Sequence, residues 1–154
     1  MAYTVEKVTN LNELDIEALI SESEEEGYRF LTRLAEDYKD GTNTFSEPGE
    51  ALYCVKDEHG KVVAIGGVNR FPVPGGDPET GRLQRFYVEA DQRRNGAGSL
   101  LLKEIVEHAR NEFHELTVKT ESSKADAFYR HNGFEFDDSA SETTHRMEFS
   151  HQEA

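Results

Sequence analysis

The residues best suited to chemistry lie in the segment Gln92–Ser99, where two arginines precede two glycines. A strand-like run comes before the segment and an amphipathic, helix-like run follows it, so the glycines are predicted to stand at a helix start. The first N–H groups of a helix lack partners within the helix and carry a partial positive charge, which favours phosphate groups. Glycine also lets the backbone approach a ligand closely. The segment therefore predicts a phosphate-binding loop, and a solvated basic turn is the alternative.

The composition of the chain is strongly acidic, with 31 aspartate and glutamate residues against 17 lysines and arginines and a formal net charge of -14. Such a protein repels a polyphosphate unless a local cluster of cations and a helix dipole receives it. The same charge argues against general nucleic-acid binding, which needs a basic surface. The densest acidic run, which is predicted to be a solvated helix end, consists of Glu22, Glu24, Glu25 and Glu26.

The length of 154 residues and the lack of a Pro/Gly/Ser-rich linker predict one domain over residues 1–154. The sequence shows neither a leader pattern nor an apolar run of membrane-spanning length, so no membrane partner is expected. The single cysteine, Cys54, stands in an apolar run and is predicted to be a buried, inert thiol. The six histidines lack ligand spacing, so no metal site is predicted. These features favour a cytoplasmic protein, and the sequence leaves a homodimer open.

Short alternating or apolar runs between turn residues predict the strands of the fold. The predicted strands are Tyr3–Thr9, Ala51–Val55, Val62–Val68, Arg82–Val88, Leu116–Thr120, Phe134–Phe136 and Thr143–Phe149. The first predicted helix begins at Asn12, and Gly27 separates it from a second helix that ends at Gly41. The other two predicted helices cover Gly98–Phe113 and Ser123–Asn132. Asn12 and Ser123 are the predicted N-caps. This order predicts an α/β fold: a mixed, mostly antiparallel sheet with one βαβ crossover and helices on both faces.

Two motifs in these elements resemble those of the GNAT N-acetyltransferase superfamily, which transfers an acetyl group from acetyl-CoA to an amine. The first is Phe86–Val88 followed by Gln92–Leu101, which is similar to the family's Arg/Gln-x-x-Gly-x-Gly/Ala pyrophosphate loop. The second is Ala125–Phe134, which is similar to a helix that ends in a tyrosine and a Gly-Phe pair. The resemblance covers nearly the whole chain. It implies a GNAT-like fold, acetyl-CoA as cosubstrate and a small-molecule amine as acceptor.

The resemblance also implies a role for each matching position. The backbone of Phe86 and Val88 would pair with the pantetheine arm, and the amide of Tyr87 or Val88 could polarise the thioester carbonyl. Tyr129 would be the general acid that protonates the departing thiolate. The residues that would wrap the pyrophosphate are Arg93, Arg94, Asn95, Gly96, Ala97, Gly98 and Ser99, with the two glycines serving backbone approach rather than folding. Alternatively, Phe86 and Val88 are core residues and Tyr129 is a packing aromatic.

The sequence departs from the family pattern at two places. Ser122 stands where many members have an asparagine that contacts the cofactor. Arg82 and Gln84 stand where some members have a glutamate base, and neither is a usable base at neutral pH. The remaining candidates for a base, each also explained as a surface residue, are Glu47, Glu50, Glu121 and His131.

The acceptor site implied by the resemblance draws on the first two helices, the loop after them and the strand before the pyrophosphate loop. These regions offer Tyr28, Phe30, Arg33, Phe45, Asn69, Arg70, Arg82 and Gln84. Arg82 and Gln84 are two residues apart on one strand and can face the same side of the sheet. A guanidinium there would suit an acceptor with a carboxylate or phosphate beside its amine, such as an amino acid. Alternatively, Arg82 pairs with an acidic side chain, and the acidic surface favours cationic acceptors such as polyamines.

Two other functions compete with acetyl transfer. A dinucleotide-binding βαβ unit also places glycines before a helix, but its glycines follow the strand directly, and it has a third glycine where this chain has Leu101. A non-catalytic acyl-CoA-binding sensor on the same fold is the second alternative. Tyr129 argues for catalysis and the missing strand carboxylate argues for the sensor, so turnover with amines decides between them.

Overall fold

A computed structural model of the chain describes residues 2–72, 77–93, 95–120, 122–138 and 143–149. Its strands are β1 (Thr4–Lys7), β2 (Ala51–Lys56), β3 (Val62–Arg70), β4 (Thr80–Val88), β5 (Glu115–Val118), β6 (Glu135–Phe136) and β7 (His145–Glu148). Its helices are α1 (Glu17–Glu25), α2 (Phe30–Asp40), α3 (Ala97–Glu112) and α4 (Ser123–His131), with short 3₁₀ turns over Leu11–Glu13 and Ala90–Gln92.

Within the described residues, seven strands form one sheet in the order β1-β2-β3-β4-β5-β7-β6. The first four strands pair antiparallel in chain order, and β4 then pairs parallel with β5 after the crossover through α3. The final strand, β7, lies antiparallel between β5 and β6. The predicted mixed, mostly antiparallel sheet with one βαβ crossover is therefore confirmed.

The sheet separates two apolar cores, because successive residues of a strand point to opposite faces. On β2, Ala51 and Tyr53 pack in the core beneath α3, whereas Leu52 and Cys54 pack in the core beneath α1 and α2. Cys54 is 1% exposed, and burial raises the pKa of its thiol to about 11, as expected for an inert cysteine. Helices thus cover both faces, as predicted.

The predicted starts of two helices are wrong by a few residues. Instead of capping α1, Asn12 lies in a 3₁₀ turn, where its backbone N–H donates to the side chain of Asn10 at 3.0 Å. The chain enters α1 only at Glu17, whose N–H donates to the Asp15 carboxylate at 3.2 Å. A side-chain oxygen two residues before an amide competes with the helical turn, which explains the delayed start.

The N-cap of α4 is Ser122 rather than Ser123. The Ser122 hydroxyl accepts a hydrogen bond from the N–H of Ala125 at 3.2 Å. The side chain of either serine can cap a helix, and the backbone conformation here places Ser122 at the N-cap position. The correction matters for the site, because Ser122 also stands where the family resemblance expects a cofactor-contacting asparagine.

A β-bulge interrupts β4 and was not predicted. Gly67 pairs with Gln84 and Ile65 pairs with Tyr87, so two residues of β4, Arg85 and Phe86, oppose one residue of β3. Arg85 takes a left-handed conformation with φ of 60°, which residues other than glycine rarely adopt. The opposing residue is Gly66, and a Cβ there would lie 2.8 Å from Cδ2 of Phe86. The bulge therefore fits only because a glycine faces it.

Candidate active site

The candidate site is a cleft between β4 and β5. Within the described residues, β5 pairs with β4 at Thr80, Gly81 and Arg82, although β4 continues to Val88. The edge of β4 beyond Arg82 therefore faces a cleft of about 1250 Å³. Its lining includes Arg82, Gln84, Arg85, Phe86, Tyr87 and Val88 from β4, Gly96, Gly98 and Ser99 from the start of α3, and Ser122, Phe128 and Tyr129 around α4.

The backbone of β4 beyond the bulge offers hydrogen-bonding groups to this cleft. The N–H of Glu89 donates across to Val63 of β3 at 2.8 Å. Because the backbone groups of successive residues point to opposite edges of a strand, those of Val88 and Phe86 point away from β3 and towards the cleft. The same alternation directs the amide of Tyr87 back towards β3. Of the two amides suggested for the thioester carbonyl, that of Val88 has the suitable direction.

The start of α3 supplies a second set of backbone donors at the cleft. Gly96, at the N-cap, has a φ of 91°, and among the described residues no side chain caps the helix. A 16-residue helix that starts in this way leaves its first N–H groups available to an anion. Gly96, Gly98 and Ser99 all line the cleft, while Ala97 is buried in the core and Asn95 is exposed. The geometry fits the predicted phosphate-binding loop.

The two glycines of the loop have different surroundings. A Cβ at Gly96 would meet no atom within 4 Å, so this position needs glycine for its left-handed backbone. A Cβ at Gly98 would lie 3.2 Å from Cγ2 of Val88 and 3.5 Å from two ring carbons of Phe128. Gly98 therefore also allows the close packing of the helix start on β4 and α4, in addition to the predicted backbone approach to a ligand.

The side chain of Arg93 is directed towards α1. Its guanidinium donates to the Glu26 carboxylate through both Nη atoms, at 2.7 and 3.1 Å, and its Nε donates to the carbonyl of Val88 at 3.0 Å. Its guanidinium carbon lies 5.2 Å from the ring centroid of Tyr87. Arg93 thus lies between α1 and the edge of β4 that faces the cleft. Arg94, the other predicted phosphate ligand of this pair, lies outside the described residues.

Part of the acidic run at the end of α1 faces the site, which corrects its interpretation as a solvated helix end. The hydroxyl of Tyr87 shares its one hydrogen between the carboxylates of Glu22, at 2.8 Å, and Glu26, and Glu22 also accepts from the N–H of Ala90 at 2.9 Å. The hydrogen bonds from Arg93 and then from Tyr87 lower the pKa of Glu26, so its carboxylate is charged at neutral pH. Burial and the two carboxylates raise the pKa of Tyr87.

Tyr129 lies on the opposite wall of the cleft, within an aromatic cluster. Its ring centroid is 5.5 Å from those of Phe128 and Phe134 and 6.4 Å from that of Phe86. The residue is 6% exposed, and burial raises the pKa of its hydroxyl, so the phenol keeps its proton at neutral pH. The ring of Tyr129 therefore packs in the core, and the residue also lines the cleft.

Helix α4, which carries Tyr129, is attached to β7 by a buried histidine. His145 is 1% exposed, and its Nε2 lies 2.6 Å from the Asp126 carboxylate on α4. The same carboxylate accepts from Arg130 at 2.7 Å, and these hydrogen bonds lower the pKa of Asp126. The position of Tyr129 therefore depends on a polar contact between a helix and a strand that lie nineteen residues apart in sequence.

Two arginines of β4 line the cleft, and their surroundings differ. Arg82 is 6% exposed; its guanidinium donates to Thr117 and Thr143 at 3.2 Å each and lies 4.2 Å from the ring centroid of Phe71. The side chain of Arg85, at the bulge, is 19% exposed and has Asp37 as its ion-pair partner at 3.7 Å. Burial is the main cause that lowers the pKa of Arg85. Arg82 is among the acceptor-site candidates predicted from the sequence, and Arg85 is not.

The candidates for a general base do not gather in the cleft. Glu50 accepts hydrogen bonds from the amides of Glu47 and Arg70 at 3.1 and 2.8 Å, in the loop before β2. Glu47, Glu50 and His131 are absent from the described lining of the cleft, and Glu121 lies outside the described residues.

Among the residues that the structure describes, no three His, Cys, Asp or Glu side chains form a group that could hold a metal ion. No described helix is both long and apolar enough to span a membrane.

Comparisons with known proteins identify the relatives of this chain. A family model described as the Acetyltransferase (GNAT) family matches residues 11–134. The structure of a candidate acetyltransferase from Exiguobacterium sp. 255-15 is 28% identical, covers 96% of this chain and 94% of its own, and has a TM-score of 0.85. The fold also matches a candidate phosphinothricin N-acetyltransferase (19% identical, 97% and 100% covered, TM-score 0.67). It further matches glucosamine-6-phosphate N-acetyltransferase from Arabidopsis thaliana (13% identical, 86% and 90% covered, TM-score 0.61).

Proposed function

The chain belongs to the GNAT acetyltransferase family, and on that premise we propose that it transfers an acetyl group from acetyl-CoA to a primary amine of a small-molecule acceptor. The observation that carries the proposal is the separation of β4 from β5 beyond Arg82, beside the uncapped start of α3. One cleft thus offers strand-edge hydrogen bonds and a helix N-terminus together. These are the groups that the amide-rich arm and the diphosphate of an acyl-CoA need.

In this proposal, acetyl-CoA supplies an acetyl group activated as a thioester, which an amine takes up with loss of the thiolate. The backbone of Phe86 and Val88 holds the pantetheine arm, and the N–H of Val88 donates to the thioester carbonyl. The residues from Arg93 to Ser99 bind the diphosphate through the first amides of α3 and the cations beside them. Arg93 contributes on the condition that its guanidinium exchanges Glu26 for the diphosphate.

Tyr129 is the proposed general acid. Burial raises the pKa of its hydroxyl, so the phenol keeps its proton at neutral pH and can donate it to the sulfur as negative charge develops on the departing thiolate. The aromatic cluster around the ring fixes its direction. No side chain of the cleft is assigned as the base. An amine that binds in its neutral form needs none before the attack, and the proton that its nitrogen loses afterwards replaces the one that Tyr129 gives to the thiolate.

The identity of the acceptor rests on the chemistry of the cleft. The relatives named for phosphinothricin and glucosamine-6-phosphate are 19% and 13% identical to this chain, so they support the fold alone. A cytoplasmic location forms part of the proposal, in keeping with an acidic chain whose single cysteine is buried and unpaired.

The first test of the proposal measures cofactor binding. Acetyl-CoA is expected to raise the melting temperature, with about 2.7 kcal/mol of apparent stabilisation at a concentration one hundred times Kd. Replacing Arg93 and Arg94 by alanine should remove much of this shift, whereas replacing Lys103 and Arg110, which lie on α3 outside the cleft lining, should not. Glu26→Gln is a further control for the effect of losing the Arg93 cation, because this variant breaks the ion pair with Arg93 but keeps the guanidinium. Binding of NAD without any response to CoA would contradict the proposal.

The second test separates an enzyme from an acyl-CoA sensor on the same fold. Release of free thiol from acetyl-CoA is followed with amino acids, polyamines, aminoglycosides and peptides as acceptors. Turnover with a small-molecule amine supports the enzyme. Tight binding of acetyl-CoA without turnover of any amine would favour the sensor.

A further inference from the structure

We infer that Arg85 receives an anionic group of the acceptor, so that the preferred acceptor is a primary amine that carries a carboxylate or a comparable anion. The inference rests on the proposed function and assigns its substrate class. It replaces Arg82, the arginine considered from sequence, by the arginine at the bulge of β4.

The backbone at Arg85 is the first reason for this assignment. The residue has a φ of 60°, a conformation in which glycine or asparagine is less strained than arginine. Folding alone therefore gives no reason for an arginine at this position. A strained residue that lines a cleft is a sound starting point for a functional hypothesis.

The electrostatic surroundings of Arg85 are the second reason. Among the described residues, the acidic group within 4.0 Å of its guanidinium is Asp37, and the N–O distance of 3.7 Å exceeds that of a hydrogen bond. Arg33 on α2 adds a second positive charge near the guanidinium. A guanidinium has five N–H donors in a planar fork that matches a carboxylate. The side chain is thus mostly withdrawn from water without a close anionic partner, and the cleft that it lines can supply one.

Arg82 provides the contrast. Its guanidinium is engaged by Thr117, Thr143 and the ring of Phe71, and only 6% of the residue is exposed. Receiving an acceptor there would require these buried contacts to break. At Arg85, by comparison, the ion pair that has to break among the described residues is the long one with Asp37, at 3.7 Å.

The position of Arg85 also suits an acceptor whose amine reaches the thioester. Arg85 precedes Val88 by three residues, a span that even fully extended backbone covers in at most roughly 10 Å. The flexible side chain of arginine shortens the gap further. An amine and an anion a few bonds apart, as in an amino acid, fit between the two residues.

The test compares acceptors that differ only in the anion. Acetylation of phenylalanine, glutamate and lysine is measured against that of their carboxamides, with the wild type and with Arg85→Met and Arg85→Lys. The expected result is at least about a tenfold loss of kcat/KM for the acids in Arg85→Met, little change for the amides, and a partial loss in Arg85→Lys. Asp37→Asn removes the competing carboxylate and is expected to raise kcat/KM for the acids a few-fold.

Arg110→Met, on the outer face of α3, is the control for loss of a positive charge and should change neither series. Melting temperatures with acetyl-CoA present show that each variant is folded and binds the cofactor. Equal losses for acids and amides in Arg85→Met, or a wild-type preference for the amides, would overturn the inference while the proposed function stands. Failure of every amine to react, with acetyl-CoA bound, would overturn both.

Discussion

The two halves of β4 belong to one strand but have different neighbours. Gly81 and Arg82 pair with β3 on one edge and with β5 on the other, whereas Tyr87 and Val88, beyond the bulge, pair with β3 and have the cleft at their second edge. Arg82 in the first half is held by two threonines and a phenylalanine ring. Arg85 in the second half pairs with Asp37 at 3.7 Å. We propose that the first half stabilises the sheet and that the second binds ligands.

The bulge at Arg85 is the boundary between these two halves. An extra residue in one strand bends that strand and increases its twist. Pairing with β5 ends at Arg82, before the bulge, and the residues of β4 beyond the bulge line the cleft. We therefore propose that the bulge separates the part of β4 that serves the chemistry from the part that serves the structure, so mutations on either side of it should have separable effects.

The largest effect is expected at Tyr129, which faces the second half. Tyr129→Phe removes the proposed proton donor and keeps the ring, so kcat should fall about 100-fold while the affinity for acetyl-CoA and the melting temperature change little. Steady-state kinetics together with calorimetric titration of acetyl-CoA measure the two quantities. Unchanged turnover would show that Tyr129 serves packing alone, and it would weaken the catalytic role proposed for the cleft beside the second half of β4.

The next effect is expected in the first half, at Gly81. A Cβ there would lie 2.7 Å from Cδ2 of Phe113 and 2.9 Å from Cγ2 of Val68. Gly81→Ala should therefore lower the free energy of unfolding by about 1–3 kcal/mol through overpacking, with kcat of the folded protein unchanged. Denaturant unfolding measures this loss. Gly98→Ala is the matched control in the cleft, since its Cβ would meet Val88 at 3.2 Å and should cost less stability.

A smaller effect is expected for Arg82, and it concerns stability rather than acceptor choice. Arg82→Met leaves the buried hydroxyls of Thr117 and Thr143 without their donor, at a cost of about 1–2 kcal/mol. The ratio of kcat/KM for an amino acid to that for its amide should stay at the wild-type value. A collapse of that ratio in Arg82→Met, but not in Arg85→Met, would reverse the roles assigned to the two arginines.

The smallest effect is a pH dependence of α4. The hydrogen bonds from Arg130 and His145 lower the pKa of Asp126, so their stabilisation is present above the unfolded value of about 3.9 and is lost as the pH falls through the folded pKa. The melting temperature of the wild type should fall more steeply below pH 4 than that of Asp126→Asn. Parallel curves would show that the contact with β7 does not stabilise α4.

Much of the fold followed from local patterns. The amphipathic period of α3, the hairpin of β2 and β3, and the glycine that ends α2 are set by residues close in sequence, so the predicted and observed elements agree within a few residues. The starts of α1 and α4 were misplaced because neighbouring capping residues compete, and that competition depends on the path of the chain.

The parts of the site that were missed depend on distant partners. Glu22 and Tyr87 are 65 positions apart, so nothing near Glu22 in the sequence showed that the acidic run turns inward. The bulge depends on Gly66 of β3, which lies opposite Phe86 on the neighbouring strand β4. Gly66 and Gly67, adjacent glycines in an apolar strand, were the one available signal, because glycine inside a strand indicates a bulge or a close approach.

The most direct test of the account follows backbone amides during a titration with acetyl-CoA. In the ¹H–¹⁵N spectrum of the labelled protein, the amides of Phe86, Val88 and Gly98 should shift, whereas those of Gly81 and Arg82 should hardly move. That result would locate the cofactor on the second half of β4 and at the start of α3. Shifts confined to other regions, or no response to acetyl-CoA at all, would contradict the central claim that the half of β4 beyond the bulge is the acyl-CoA site.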